Sequence, residues 1–259
     1  MEPLPSDFAD AIARARPRLG PLASPILFFS SIGSTNDEAA GLAVEGAVVV
    51  ADEQTSGRGR RGRIWLSPPR SGLYVSTVLA PARARVDQRR ATSLLTLAAG
   101  VAIAEGIHAS SGLAVDLKWP NDLYASGRKL AGILAEAVRD VVVLGYGINL
   151  TPAAYPPELH PRPTSIEAET GVAVDRARVL ADTLVALAAR YADLLDGRFD
   201  AILGAWRERA PAASGATVTW HVASRAQTGV TAGVDDDGAL LVRTEHGIER
   251  IVGGEVQWS

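Results

Sequence analysis

Hydrophobic positions along the chain repeat at two periods. Unbroken or alternating apolar runs at residues 26–29, 47–51, 71–79, 115–119 and 141–144 read as strands. Residues 123–137 read as a hairpin that turns at Ser126-Gly127. Spacings of three and four predict helices over 7–16, 88–109, 175–195 and 199–209. The third of these sets Val179, Leu180, Leu184, Leu187, Tyr191 and Leu194 on one face. Thr35-x-x-Glu38 has the form of a capping box that opens a further helix. Residues 211–215 read as a linker. Beyond them come short alternating segments at 216–221, 228–234, 239–243 and 248–252, with turns at Asp237-Gly238 and His246-Gly247. About 45 residues of short strands make only a marginal core alone, so a small β-barrel packed on the main domain is expected.

One stretch fits neither period. Residues 57–65 read Gly-Arg-Gly-Arg-Arg-Gly-Arg-Ile-Trp. Glycine disfavours a helix by about 1 kcal/mol against alanine, so the segment is expected to be a mobile loop that orders around a ligand. Glycine lets backbone approach that ligand closely, and guanidinium forks match phosphate or carboxylate oxygens. A compact anion is the natural partner. Gly57 to Gly62 also spells the G-x-G-x-x-G dinucleotide fingerprint, which needs a helix opening behind it. Ile64, Trp65, Leu66, Ser67, Pro68 and Pro69 follow instead. An arginine-glycine arm for nucleic acid is disfavoured by the net charge of -3. The loop hangs from the end of the buried run at 47–51, a usual position for a site.

Composition narrows the chemistry. There is no cysteine, so thiol nucleophiles, disulfides and Cys-ligated metals are excluded. His108, His160, His221 and His246 are scattered and read as surface residues rather than a zinc site. No secretory or membrane-spanning stretch is evident, and a soluble cytoplasmic protein is expected. Of 26 basic residues only Lys118 and Lys129 are lysine, and they lie close together in the chain. An arginine-rich coding bias explains the scarcity but not the placement. An ammonium and a guanidinium are not interchangeable at a tight site, so both lysines are read as active-site groups.

Five stretches stand in order: Ser34-Thr35-Asn36; Gln54 with Gly57-Arg58-Gly59-Arg60-Arg61-Gly62-Arg63-x-Trp65; Lys118-Trp119-Pro120-Asn121-Asp122; Arg128-Lys129-Leu130-Ala131-Gly132-Ile133; and Gly147-Ile148-Asn149. Together they resemble the biotin–protein ligases, in the short form without a DNA-binding domain. The resemblance implies an α+β fold, with a mixed sheet flanked by helices over residues 1–210 and an SH3-like domain over 211–259. It implies activation of biotin by ATP to biotinyl-5′-adenylate, then transfer to a lysine of a biotin carboxyl carrier domain. Lys129 would hold the biotin carboxylate, Arg58 and Arg60 would close over carboxylate and α-phosphate, and Lys118 would contact phosphate. Asp122, with Asn121, would hold Mg²⁺. Ser34, Thr35, Asn36 and Gln54 suit the ureido ring, with Gly57, Gly59, Gly132 and Gly147 lining the biotin and Trp65 as a lid. Arg61, Arg63, Asn121 and Asn149 would join Arg60, Trp65 and Lys118 around ATP. Some relatives carry an adenine-contacting Trp where Pro163 precedes Thr164-Ser165-Ile166 here.

Three other readings compete. A lipoate or octanoate ligase shares the fold, but its acyl group has no ureido ring for Ser34, Thr35, Asn36 and Gln54 to read. A non-catalytic nucleic-acid binder would leave Lys129 and Asp122 idle. A bifunctional repressor needs a DNA-binding domain, and the segment before Pro25 is too short to fold as one. Neither specific DNA nor membrane is an expected partner, and the resemblance admits a homodimer.

Overall fold

The computed structural model describes residues 2–159, 161, 163–222 and 225–258; His160 lies outside them. The first part of the chain runs α1 (Ser6–Ala15), β1 (Ile26–Phe29), α2 (Thr35–Leu42), β2 (Val48–Ala51), β3 (Gly72–Leu79), α3 (Gln88–Ser111), β4 (Asp116–Lys118), β5 (Asp122–Ala125), β6 (Arg128–Val138) and β7 (Val141–Asn149). Helices α4 (Ile166–Thr170), α5 (Arg176–Leu195) and α6 (Phe199–Glu208) follow. Strands β1 to β7 form one mixed sheet in the order β1-β2-β3-β7-β6-β5-β4, in which only β1 and β2 pair in parallel.

Side chains alternate across this sheet, as successive Cβ atoms must. Val48 and Val50 of β2, Leu73 and Val75 of β3, and Leu144, Tyr146 and Ile148 of β7 join the core shared with α3 and α5. Val49, Val78 and Val143 point the other way, into a small cluster with Ala39 of α2. Helix α3 is long and apolar enough to cross a membrane, but it is mostly buried inside the molecule.

A second, antiparallel sheet follows, made of β8 (Ser214–Val222), β9 (Arg225–Val234), β10 (Leu240–Thr244), β11 (Gly247–Ile251) and β12 (Val256–Trp258). Its order is β11-β10-β9-β8-β12. Its buried residues Val218, Trp220, Leu240 and Val242 belong to the same continuous core as the main sheet's helices. Trp119 Nε1 donates to Gly238 O at 2.9 Å, and Arg207 donates to Val234 O at 3.0 Å. The small domain is thus sealed onto the large one. The expected linker is tighter than its composition indicated: residues 211–213 make a 3-10 turn and Ser214 already begins β8. Strand β12, absent from the sequence reading, closes the chain against β8.

The capping box does not form. Ser34 is the N-cap residue and makes no side-chain cap bond, while Thr35 is the first helical residue. The Thr35 hydroxyl is drawn instead to Gln54 and Ser76. Tertiary partners have overridden a local signal of equal spacing.

Candidate active site

The face of the main sheet opposite α3 and α5 carries the site, and its strands present little side chain there. Glycines occupy positions 132, 145 and 147 on that face. A Cβ on Gly145 would lie 2.1 Å from Asn36 Oδ1, and one on Gly147 would lie 2.3 Å from Trp65 Nε1. A Cβ on Gly132 would lie 3.0 Å from Trp65 Cζ3. The glycines therefore let α2 and the indole lie directly on the sheet.

A cavity of about 270 Å³ opens there. Ser34, Thr35, Asn36 and Gln54 line one end, and Lys118, Asn121, Asp122 and Lys129 line the other. Gly59, Arg60, Arg61, Arg63 and Trp65 cross it, and Gly132 and Gly147 form its floor. The arginine segment expected to be mobile is folded here: Gly59 N bonds Arg63 O and Trp65 N bonds Gly57 O. Residues 60–62 make a short 3-10 turn, with Arg61 at a φ of 58°.

Two of the expected residues lie outside the cavity. Asn149 is buried and turned away, its Nδ2 donating to Thr164 O at 3.0 Å. Gly57 supports the loop from behind, where a Cβ would meet Trp65 O at 2.4 Å. Others take different parts from those expected. Arg58 lines the cavity, but its guanidinium is held by Asp37 at 2.7 Å and Glu136 at 3.2 Å rather than free for carboxylate and phosphate. The hydrogen bond to Asp37 raises its pKa above the ordinary arginine value, against the opposing effect of burial. Arg61 and Arg63 both pair with Glu255, which the second domain brings to the rim. That carboxylate engages the two arginines that were expected to meet ATP.

Arg60, Lys118 and Lys129 also line the cavity, the last of them paired with Asp122. Among the described residues Arg60 donates only to neutral oxygens, Asn121 Oδ1 at 3.1 Å and Gly254 O at 3.5 Å. Burial and the charge of Arg61 lower its pKa. Lys118 Nζ lies between two rings, 4.6 Å from the centre of Tyr124 and 5.4 Å from that of Trp258. Burial lowers its pKa, with Asp122 opposing and Lys129 adding to the fall. Lys129 pairs with Asp122 at 2.7 Å and stands 5.5 Å from the Trp65 ring centre.

The other end of the cavity holds a hydrogen-bonded chain. Thr35 N and Oγ1 reach Gln54 Oε1 at 2.9 and 3.0 Å, and Gln54 Nε2 donates to Ser67 Oγ at 2.9 Å. Ser76 Oγ lies 2.8 Å from Thr35 Oγ1 and 2.5 Å from Asn36 Oδ1. Asn36 Nδ2 donates to Glu136 Oε2 at 2.6 Å, which fixes its amide orientation. The three oxygen–oxygen contacts Gln54–Thr35, Thr35–Ser76 and Ser76–Asn36 share only two hydroxyl protons. The Thr35 N–H satisfies Gln54 Oε1, which leaves those two protons for Thr35 to Ser76 and Ser76 to Asn36, so the chain is internally satisfied. Nearby, the buried Trp65 Nε1 has no acceptor among the described residues.

Ser67, Ser76, Tyr124, Glu136, Glu255 and Trp258 were missed in the sequence. The legible signal was weak: Ser76 and Thr77 stand out as hydroxyls within a largely apolar buried strand. Among the described residues no group of three or more His, Asp or Glu side chains is arranged to hold a metal.

The model of the Biotin/lipoate A/B protein ligase family matches residues 30–151, and that of the Biotin protein ligase C terminal domain matches residues 224–258. The chain is 37% identical over 239 residues to the biotin–[acetyl-CoA-carboxylase] ligase of Paracoccus denitrificans, covering 86% of this chain and 96% of that one. The chain belongs to the biotin/lipoate protein ligase family. It is 36% identical over 223 residues to the bifunctional ligase/repressor BirA of Bacillus spizizenii, covering 83% of this chain and 67% of the relative. The biotin protein ligase of Aquifex aeolicus, solved in complex with biotin and ATP, superposes with a TM-score of 0.79 at 30% identity. That match covers 90% of this chain and 98% of the other. The first matched region spans β2 to β7, and the second spans β9 to β12.

Proposed function

We propose that the chain is a biotin protein ligase. It condenses biotin with ATP to biotinyl-5′-adenylate and then passes the biotinyl group to a lysine of a biotin carrier domain. The observation that carries this reading over a lipoate or octanoate ligase is the polar end of the cavity, lined by Ser34, Thr35, Asn36 and Gln54. Their hydroxyls and amides offer both donors and acceptors. A ureido ring matches them with its N–H groups and its carbonyl, whereas a dithiolane or an alkyl chain does not. A buried polar group left unpaired costs about 1–3 kcal/mol, which is the size of the discrimination expected.

In the first step a biotin carboxylate oxygen attacks the α-phosphorus, the bond from that phosphorus to the bridging oxygen breaks, and pyrophosphate leaves. Two unit charges 4 Å apart repel by about 4 kcal/mol at an effective dielectric constant of 20. Lys129 neutralises the carboxylate, and Arg60 and Lys118 meet the phosphate, so the repulsion is offset where charge develops. Trp65 covers the product and keeps water from the anhydride. In the second step a neutral lysine amine attacks the acyl carbon and AMP leaves. No side chain of this ligase needs to act as nucleophile, in keeping with a chain that has no cysteine.

Magnesium fits as an ion carried by ATP. Asp122 and Glu255 are the carboxylates that line the cavity, and each is already paired with a cation. Mg²⁺ is commonly bound through one or two carboxylates plus phosphates and water. Asp122 is the residue that would take the single protein position, supplying charge neutralisation to the phosphates. The test is pyrophosphate release with ATP and biotin, compared with lipoate and octanoate. Equal release with octanoate would remove the biotin assignment.

A further inference from the structure

The polar chain at the head-group end does not stop at Asn36. Glu136 Oε2 takes both the Asn36 amide, at 2.6 Å, and Arg58 Nη2, at 3.2 Å. At the other end, Ser67 Oγ reaches Trp65 O at 3.2 Å. The chain of contacts from Arg58 through Glu136, Asn36, Ser76, Thr35, Gln54 and Ser67 to Trp65 therefore begins and ends on the arginine loop. Its links span α2, strands β3 and β6, and the segment from 54 to 67 between β2 and β3. Glu136 is the one carboxylate in it, and it joins a buried residue, Asn36, to a loop residue whose side chain is 38% exposed.

We propose that Glu136 is a positioning residue that latches the arginine loop to the head-group pocket, so that filling the pocket steadies Arg58. The proposal rests on biotin being the ligand, as argued above. An isolated, half-exposed ion pair contributes little to a fold. This one differs because the same oxygen also holds the Asn36 amide, so a ligand group that bonds Asn36 acts on the acceptor that holds the loop. Asp37 keeps a second hold on Arg58. The latch is thus a link between pocket and loop rather than the loop's sole anchor. Gln at 136 retains an acceptor for Asn36 and removes the charge that Arg58 meets.

The experiment is a double-mutant cycle on biotin affinity with Glu136→Gln and Arg58→Ala, read by calorimetry on the full chain. Each single variant is expected to weaken biotin about tenfold, the size of one charged hydrogen bond. The double variant is expected to be no weaker than about the same tenfold, because both changes break one link. Effects that multiply to about a hundredfold would overturn the latch, as would unchanged affinity in Glu136→Gln. A second readout uses Glu136→Gln alone, an isosteric change at a partly exposed position. At saturating biotin, amide exchange over residues 57–65 is expected to be about tenfold faster than in the unmodified ligase. Equal protection would refute the coupling. Failure of the unmodified chain to bind biotin would instead overturn the functional reading on which the proposal stands.

Discussion

Lys129 Nζ lies 2.7 Å from Asp122 Oδ1, across the pair of strands β5 and β6. The carboxylate holds the ammonium in place before any ligand carboxylate arrives. The same contact explains why Asp122, expected to hold a metal, serves this ligase first as a partner for lysine. Lys129→Ala is expected to lower the rate of adenylate formation by about 10²–10³, the effect of removing one preorganised charge-stabilising donor. Pyrophosphate release measures it. A folded Lys129→Ala protein with near-normal release would remove Lys129 from the chemistry.

The floor of the site predicts a second outcome. Gly147 has no left-handed φ, so alanine there brings no backbone strain, yet its Cβ would fall 2.3 Å from Trp65 Nε1. The indole must move. Overpacking of this kind costs about 1–3 kcal/mol, and biotin affinity is expected to fall about tenfold or more in Gly147→Ala with the fold retained. Unchanged titration of biotin would mean that the Trp65 ring does not cover the ligand.

How far these relationships were visible in the chain depends on their range. The strands, the four long helices and the hairpin at Ser126-Gly127 follow from local period and turn chemistry, and the structure has all of them. Most of the polar and glycine residues that line the cavity from Ser34 to Gly147 were legible through the motifs that carry the family resemblance, whereas Tyr124 was not. What failed depended on partners distant in sequence. Thr35 was read as a cap because Thr35-x-x-Glu38 has the right spacing, but Gln54 and Ser76 compete for the same hydroxyl. Arg58 and Arg60 look alike in the sequence, and only the fold brings Asp37 and Glu136 to one and neutral oxygens to the other. Asn149 shares a strand face with Gly147, but the backbone at Thr164 claims its amide. Glu136 is one acid among 29 acidic residues until β6 and α2 meet.

Lys118 gives a pH dependence. Its burial lowers the pKa from the ordinary value of 10.5, so the folded chain binds that proton more weakly than the unfolded one. At neutral pH the buried cation costs stability, and the cost is relieved as pH rises through the folded value towards 10.5. Phosphate binding has the opposite sign, because the anion favours the charged lysine. The KM for ATP is therefore expected to rise at a lower pH than an ordinary lysine would impose. Lys118→Arg should flatten this alkaline limb, since guanidinium stays charged, even where the changed geometry lowers the absolute rate. An identical limb in both proteins would place the titrating group elsewhere.

The last prediction joins Arg60 to the lysine count. Biotinyl-adenylate is an acyl donor that reacts with any accessible neutral amine. Arg60 crosses the cavity between Asn121 and Gly254, tying the loop to the second domain with its charge turned to neutral oxygens. Replacing it by glycine removes both the tie and a cation that the adenylate phosphate would meet. Arg60→Gly is expected to release adenylate and to label a bystander protein more than the unmodified ligase does. The enzyme itself should gain little mass, because its only amines are Lys118, Lys129 and the N-terminus. A version with several exposed arginines changed to lysine should label itself. The test follows from nucleophile chemistry alone and holds whether coding bias or selection removed the lysines. Intact-mass measurement after incubation with biotin and ATP reads both proteins. Extensive labelling of Arg60→Gly beyond those three amines would refute the amine argument, and bystander labelling no higher than with the unmodified ligase would refute retention by Arg60.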